Sequence, residues 1–304
     1  LNFLTGGLLW LPLSLLSAFF HASGDAVIKS KFQRFTPYQM VFLSATSAVP
    51  ILLALLFFIP IPELSPEFYK TVLIMLPFEI TAYYFYMLAL KFSPISLTVP
   101  FLSFTPVFMI VTGWIILGEK INLAGMAGIF CVVVGAYLLN LQDINKGLLR
   151  PFKVIFHEKG CVYMLIVAFI YSISASLGKK VILLSEPVFF SCFYYIVLGL
   201  IIPPVFFLIS KGSFKERINS VFPGFKGIIW AWLLNGIITS IMIVTHSLAI
   251  SMVNAAYMIA VKRTNVIFTI FYGKFLFKEE NIFYRFLGSI LMILGICIIA
   301  AFGK

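Results

Sequence analysis

The sequence predicts an all-α polytopic membrane protein: ten transmembrane helices arranged as two inverted five-helix repeats, residues 1–145 and 146–304. Composition, run length and internal repetition predict it. The 304 residues are 62% apolar and 11% charged, with 34 Phe and a mean hydropathy of +1.07. An average soluble domain is roughly 45–50% apolar. No water-soluble core of this length hides so much apolar surface, and a soluble enzyme is excluded.

The apolar residues fall into ten runs, approximately 8–28, 38–59, 71–91, 94–117, 122–141, 160–182, 187–209, 227–249, 252–276 and 282–302. Each is near the ~20 residues that cross a bilayer. They are continuous rather than alternating, which argues against a β-barrel. The first run has no small-residue cleavage site after it and reads as a retained span. Tight polar links such as Pro60-Ile61-Pro62-Glu63 and Lys91-Phe92-Ser93-Pro94 separate the runs, and the longest polar segments, 142–159 and 211–226, are too short to fold alone. Cys131, Cys161, Cys192 and Cys297 lie inside apolar runs without metal or redox spacing and read as small packing residues.

The repetition appears on shifting the chain by 160 residues. Ala89 then meets Ala249, Phe108 meets Phe268, Ile110 meets Ile270, Gly113 meets Gly273, Glu119 meets Glu279, Gly128 meets Gly288 and Gly135 meets Gly295. A further register change pairs Gly24 with Gly178. Glycines seven apart share one helix face, where small residues let backbones approach. Five spans per copy is an odd number, so the second copy enters the membrane upside down, an arrangement suited to a central site opened to each side in turn.

The segment Thr105-Pro106-Val107-Phe108 through Gly118-Glu119-Lys120 to Gly125, Gly128 and Gly135, with its second copy from Phe268 through Lys278-Glu279-Glu280 to Gly288 and Gly295, resembles the repeat ending of the ten-span EamA type of the drug/metabolite transporter superfamily. The resemblance covers nearly the whole chain. It implies alternating-access transport of a small organic metabolite, no covalent cofactor, and a cell-membrane (plasma or inner membrane) location. Members handle amino acids, sugars, nucleotide sugars, phosphorylated sugars, choline and drugs, so the substrate is left open. This chain departs from the pattern in having Asn265-Val266 where repeat one has Thr105-Pro106, and in lacking an early basic residue over 38–48.

Lys262 and Arg263 stand out because they lie about ten residues into the ninth run, near mid-membrane at about 1.5 Å per residue. Each such charge costs about 2.5–3.5 kcal/mol at a helix centre, and snorkelling does not reach far enough. Helical spacing places Asn254, Lys262, Asn265, Thr269 and Tyr272 on one polar stripe, with Arg263 at its edge. Two fixed cations suit a phosphate or carboxylate, which Arg binds in a bidentate manner. The pair also resembles an adjacent Lys-Arg on the ninth helix of the sugar-phosphate transporter branch, although the fourth-helix Lys of those relatives is Leu102 here. A structural ion pair with Glu79 is the alternative.

Glu79, about eight residues into the third run, shares a face with Tyr83 and Tyr86 and reads as the deep carboxylate, either carrying a coupling proton or neutralising the cations. His21 and His246 are candidate contacts. Thr98, Thr105 and Thr112 form a heptad stripe that either lines the path or bonds between helices. Tyr83, Tyr84, Tyr86, Tyr171, Tyr194, Tyr195 and Tyr257 suggest an aromatic-lined cavity. Asp25 with Lys29 reads as a local interfacial pair, Lys179 and Lys180 as interfacial anchors, and Glu119 and Glu279 as loop-fixing residues. The expected substrate-binding set is Lys262, Arg263, Asn265, Glu79, Tyr83, Tyr86, Tyr257, His246 and Thr105.

The leading expectation is a secondary transporter of a small organic anion, coupled to protons or working by exchange. Alternatives are an exporter of amino acids or cationic, drug-like metabolites using Glu79 and the tyrosines, and, from another class, a non-transporting scaffold or receptor. No catalytic motif supports an enzyme. The net charge of +11 does not indicate nucleic acid, because the basic residues are scattered between apolar runs. Fifteen Lys/Arg, from Lys29 to Arg285, follow odd-numbered runs, against Lys70, Lys120, Lys179, Lys180 and Lys304 on the other side. That bias puts both termini outside the cytoplasm, whereas the resemblance implies both inside; the charge count, being this chain's own, is preferred.

Overall fold

The computed structural model describes residues 8–139, 158–222, 224, 227–277 and 283–303, and every regular element within them is helical. In the first half, α1 (Trp10–Val27) continues into a π-helical turn (Ile28–Phe32) and is followed by α2 (Pro37–Ser47), α3 (Val49–Leu56) and α4 (Pro66–Phe92). A short α5 (Ile95–Thr98), a 3₁₀ segment (Val99–Phe104) and α6 (Thr105–Leu117) form one interrupted rod, and α7 (Leu123–Leu139) completes the half. The second half runs α8 (Lys159–Leu183), α9 (Pro187–Ile209), the small α10 (Phe214–Val221), α11 (Ile229–Met252), α12 (Ala255–Lys262), α13 (Asn265–Phe277) and α14 (Phe283–Phe302). Among the described residues, seven helical stretches are long and apolar enough to cross a membrane: 10–32, 37–56, 66–92, 99–117, 159–183, 187–209 and 229–252. The chain is an all-helical, polytopic membrane protein.

The distribution of side chains is that of a lipid-facing bundle. Phe57, Leu73, Ile115, Phe130, Trp230 and Phe275 point outward, while Ser14, Ser17, Ser47, Thr71 and Asn235 are buried. Some of the buried hydroxyls bond to backbone, as when the Ser17 hydroxyl donates to the Met242 carbonyl across α1 and α11 at 3.1 Å. All four cysteines are free thiols.

The packing repeats in the register read from the sequence. Helices α6 and α13 occupy 105–117 and 265–277, the rods containing them begin at 95 and 255, and α7 and α14 begin at 123 and 283; each second number is the first plus 160. α7 and α14 pack antiparallel through their glycines. A Cβ added to Gly128 would lie 2.9 Å from the Gly295 carbonyl oxygen, and one added to Gly135 would lie 2.7 Å from that of Gly288. Shifting by 160 turns one contact into the other, since 128 becomes 288 and 295 corresponds to 135. α1 and α8 are handled in the same way: Gly24 faces Asn235 of α11 and Gly178 faces Met75 of α4, and 235 is 75 plus 160. The Gly24–Gly178 pairing thus has a structural counterpart.

The ninth run is not one helix. α12 stops at Lys262 and α13 starts at Asn265, with Arg263 and Thr264 in tight turns between. Arg263 N–H is shared between the carbonyls of Ile259 (3.1 Å) and Ala260 (3.2 Å), Thr264 N–H bonds Val261 (3.0 Å), and the Thr264 hydroxyl caps the Val261 carbonyl at 2.8 Å. No proline or glycine sits here. The interruption falls on a polar run, Lys262-Arg263-Thr264-Asn265, in which the Thr264 hydroxyl competes for a backbone carbonyl. A single helical stripe through Asn254 to Tyr272 is therefore replaced by two half-helices, and Asn254 is displaced to the start of α12, where its amide reaches the Lys120 carbonyl at 3.4 Å.

Candidate functional site

The two interrupted rods meet at their breaks. Arg263, in the second break, donates from Nη2 to Oγ1 of Thr105, the first residue of α6 after the first break, at 3.1 Å. Thr105 in turn donates to the Leu102 carbonyl at 2.6 Å. Discontinuous helices bury unpaired backbone ends only where they line a cavity or are capped by protein. Here they do both.

The cavity beside this contact has a volume of about 150 Å³, comparable with a space known to hold one benzene ring. His21, Gly24 and Asp25 reach it from α1, Glu79, Tyr83 and Tyr86 from α4, Tyr171 and Ser174 from α8, and Tyr194 and Tyr195 from α9. α11 adds Met242, His246 and Ser247, and Thr105, Lys262 and Arg263 close the wall. Lys262 and Arg263 are 8% and 3% exposed. Lys262 Nζ lies 3.1 Å from His246 Nδ1 and 3.4 Å from Met242 Sδ. Among the described residues no carboxylate stands within ion-pair distance of either cation, and Arg263 Nε has no partner. The structural pairing with Glu79 is thus not formed; Glu79 shares a hydrogen bond with the Ser174 hydroxyl.

A second set of contacts crosses the opposite wall. Tyr86 donates to Asp25 Oδ1 at 2.6 Å, its oxygen lies 3.4 Å from His21 Nε2, and the other ring nitrogen of His21 lies 3.3 Å from Asn265 Nδ2. Asp25 is 2% exposed and its Oδ2 has no partner among the described residues. The cavity lining therefore presents three cations, Lys179, Lys262 and Arg263, and two carboxylates, Asp25 and Glu79, among tyrosines.

Of the expected substrate-binding residues, Lys262, Arg263, Glu79, Tyr83, Tyr86, His246 and Thr105 line one cavity, and Asn265 touches it through His21. Tyr257 does not. It is buried under α7, where its ring occupies the space above Gly125 and its hydroxyl donates to Asn122 at 3.3 Å. Tyr84 also turns away, stacking on Tyr38 at 5.0 Å. Thr112 bonds the Ser172 carbonyl of α8 at 2.9 Å and Thr98 bonds its own helix, so the threonine stripe holds structure and only Thr105 reaches the site.

Asp25 is not an interfacial partner of Lys29. It faces inward, while Lys29 donates to the Leu90 and Ser93 carbonyls at 2.6 and 3.0 Å. The signal in the sequence was the spacing His21, Gly24, Asp25, Ile28, one face of a helix. Lys179 is not a lipid-interface anchor either: it is buried and forms an ion pair with Glu119. Lys180 is half-buried and pairs with Glu67 at 2.8 Å. Glu119 fixes the loop as expected, through Oε2 accepting from Ala255 N–H at 2.8 Å; Glu279 lies outside the described residues.

Comparison with known proteins adds a family and a fold. A model described as the EamA-like transporter family matches residues 7–141 and again 158–301. A solved structure titled only as the crystal structure of a protein is similar to this chain with a TM-score of 0.69, covering 96% of this chain and 97% of that one at 13% identity. No curated protein matches the sequence.

Proposed function

We propose, from the premise that the chain belongs to the EamA-like transporter family, that it is a secondary carrier for a small organic anion whose negative group sits against Arg263 and Lys262. The family transports small metabolites across membranes and is not a family of enzymes. Ten crossings in two mutually inverted halves are supported by the 160-residue register of α6 with α13 and α7 with α14, and by the antiparallel glycine contacts that the register exchanges. An axis that swaps antiparallel helices lies in the membrane plane, so the site sits between halves that can rock about it.

The observation that carries the anion reading is the burial of two cations in a cavity wall with no carboxylate of the described residues in ion-pair distance. Removing two charges from water is expensive unless something of opposite sign arrives, and Arg263 keeps most of its donor fork for that purpose. Thr105 adds the N-terminal end of α6 to the same spot, where the helix dipole favours negative charge.

A second reading is favoured by Asp25 and Glu79, which face the same space: a solute that also carries a positive group, as an amino acid does, fits a cavity with both signs. A counterflow screen of purified protein in liposomes against phosphate esters, carboxylates, amino acids and amines separates the two. Selection of anions with loss in Arg263→Ala supports the first; selection of amino acids or amines with loss in Glu79→Gln supports the second. Transport unchanged by Arg263→Ala removes the anion site. Coupling is either exchange or proton movement through Glu79, and an imposed pH gradient driving net uptake that disappears in Glu79→Gln identifies the latter.

A further inference from the structure

Exchange and proton movement through Glu79 do not exhaust how this cavity can be driven, because Asp25 is the more deeply buried carboxylate and its hydrogen bonds run one way. Asn265, the first residue of α13, offers its amide Nδ2 to His21 Nδ1 at 3.3 Å. Nε2 of the same ring therefore keeps the ring proton and points it at the Tyr86 oxygen, 3.4 Å away. Tyr86 gives its single hydrogen to Asp25 Oδ1 at 2.6 Å. The other oxygen, Oδ2, is buried without a partner among the described residues. Oδ1 is already engaged as an acceptor, so a proton on this carboxyl belongs on Oδ2, where it displaces no hydrogen bond.

Among the described residues, the charges around the cavity balance when each is ionised. Lys262 of α12 and Arg263 after it are opposed by Glu79 of α4 and by Asp25 itself. Lys179 of α8 has its own partner in Glu119. His246 of α11 accepts from Lys262 at Nδ1 and is neutral, as His21 is. The other titratable groups are tyrosines: Tyr83 on α4, Tyr171 on α8, and Tyr194 with Tyr195 on α9 line the cavity. Tyr272 of α13 bonds Ser23 of α1 at 2.7 Å. A monoanion settling on Arg263 and Lys262 leaves the wall one negative charge in excess, in a buried space where an unbalanced charge is costly. One proton on Asp25 cancels it.

We propose that Asp25 is the proton-coupling site of the carrier: each monoanion held by Arg263 and Lys262 travels with one proton on Asp25 Oδ2, and both leave on the far side. The proton comes from water on the side to which the site is open and returns to water on the other, and no bond of the solute changes. Tyr86 and His21 are positioning residues, which occupy Oδ1 and leave Oδ2 for the proton. Linkage makes the coupling reciprocal, so the anion tightens the proton by the factor by which the proton tightens the anion. The inference rests on the anion reading and adds to it the ion that drives transport.

The chain contains two aspartates, Asp25 and Asp143, which permits a test without solute. Aspartate carrying carbon-13 at its side-chain carboxyl reports the protonation of both by NMR of the full-length protein in micelles, and Asp143→Asn or Asp25→Asn each assigns the two signals. Arg263→Gln takes one positive charge from the wall, as a bound monoanion does in effect, and is expected to raise the affinity of Asp25 for its proton about fivefold or more. Lys262→Met serves in its place should that variant not fold. An Asp25 signal that stays ionised at every pH at which the protein is folded, or a proton affinity unchanged by loss of the cation, overturns the proposal. In liposomes, with the anion selected by the counterflow screen, Asp25→Asn is expected to lower uptake driven by a pH gradient about tenfold more than it lowers counterflow. Equal loss of both, or a pH-driven uptake that survives Asp25→Asn, also overturns it. Failure of the anion reading shows instead as a screen that selects no anion, whereas failure of this proposal shows as an Asp25 that does not respond.

Discussion

The two breaks that meet at the cavity differ in chemistry although they occupy equivalent places. In the first half the interruption is neutral: Pro100 and Pro106 bracket a 3₁₀ segment, and Thr105 starts the next helix. In the second half it is charged, with Lys262 and Arg263 at the gap and Asn265 starting the next helix. Proline breaks a helix by removing a backbone donor and by its ring, whereas the second break needs polar side chains to replace lost backbone partners. The duplicated architecture thus has a discontinuity in both copies, with charge at the second alone. The first break supplies shape and a hydroxyl; the second supplies charge.

The largest expected effect comes from deleting that charge. Arg263→Ala should abolish counterflow of whichever anion the screen selects, while thermal unfolding of the detergent-solubilised protein shifts little or rises, because an unpaired buried cation has been removed. Lys262→Ala is expected to weaken transport strongly as well. If Arg263→Ala instead collapses the fold and leaves residual transport intact, the asymmetry between the breaks is structural rather than functional.

Next in size is the seam that both halves share. Gly295→Leu pushes a side chain against the Gly128 carbonyl, where even a Cβ would sit at 2.6 Å, and Gly135→Leu meets the Gly288 carbonyl and Met292, where a Cβ would sit at 2.7 and 2.6 Å. Overpacking of this kind costs about 1–3 kcal/mol or more. Because Gly135 and Gly295 are equivalent across the repeat, 295 being 135 plus 160, the unfolding temperatures of the two variants should fall by similar amounts. A large inequality would break the equivalence of α7 and α14.

Much of this architecture is legible in the sequence. Continuous apolar runs located the helices because a lipid environment forces backbone polar groups into them, and the Gly/Glu/Gly/Gly order gave the register that α6, α7, α13 and α14 follow. Seven of the nine expected site residues share the cavity because their charge or polarity had no other reason to lie so deep. What escaped was direction. The break after Lys262 lacks proline and glycine, so periodicity ran straight through it. Asp25 and Lys179 lie near helix ends, where a charge reads as interfacial; only the packing of α4 and α12 against those ends turns them inward. Tyr257, five residues before Lys262, was expected at the site, but glycine at position 125 opens a slot on the far side that takes its ring.

A smaller effect isolates what the neutral break contributes. Thr105→Val keeps the side-chain shape and removes the acceptor for Arg263, so the guanidinium loses one hydrogen bond, worth roughly 1.5–3 kcal/mol when a charged group is involved. Part of that is regained when solute occupies the fork. Half-saturation of counterflow is therefore expected to rise by about tenfold or less, with the maximal rate changed less than by Arg263→Ala. Thr105→Ser, which keeps the hydroxyl, should behave like the parent. If Val and Ser variants are equally impaired, the methyl packing rather than the bond to Arg263 is what the first break supplies.

The smallest expected effect tests whether the breaks are interchangeable as backbone. Val266→Pro writes the first copy's Thr-Pro pattern into the second by placing a proline directly after Asn265. The substitution removes one donor, the Val266 N–H that bonds the Arg263 carbonyl at 3.1 Å. Proline is tolerated in the first helical turn, where donors are unpaired anyway, so the cost is about 1 kcal/mol, one net hydrogen bond. Unfolding temperature should change by a few degrees at most, and the anion selected in counterflow should be the same. A change of substrate preference instead of this near-neutral result would mean that the Arg263 carbonyl, and with it the exact pitch of the gap, takes part in recognition, and that charge alone does not distinguish the second break from the first.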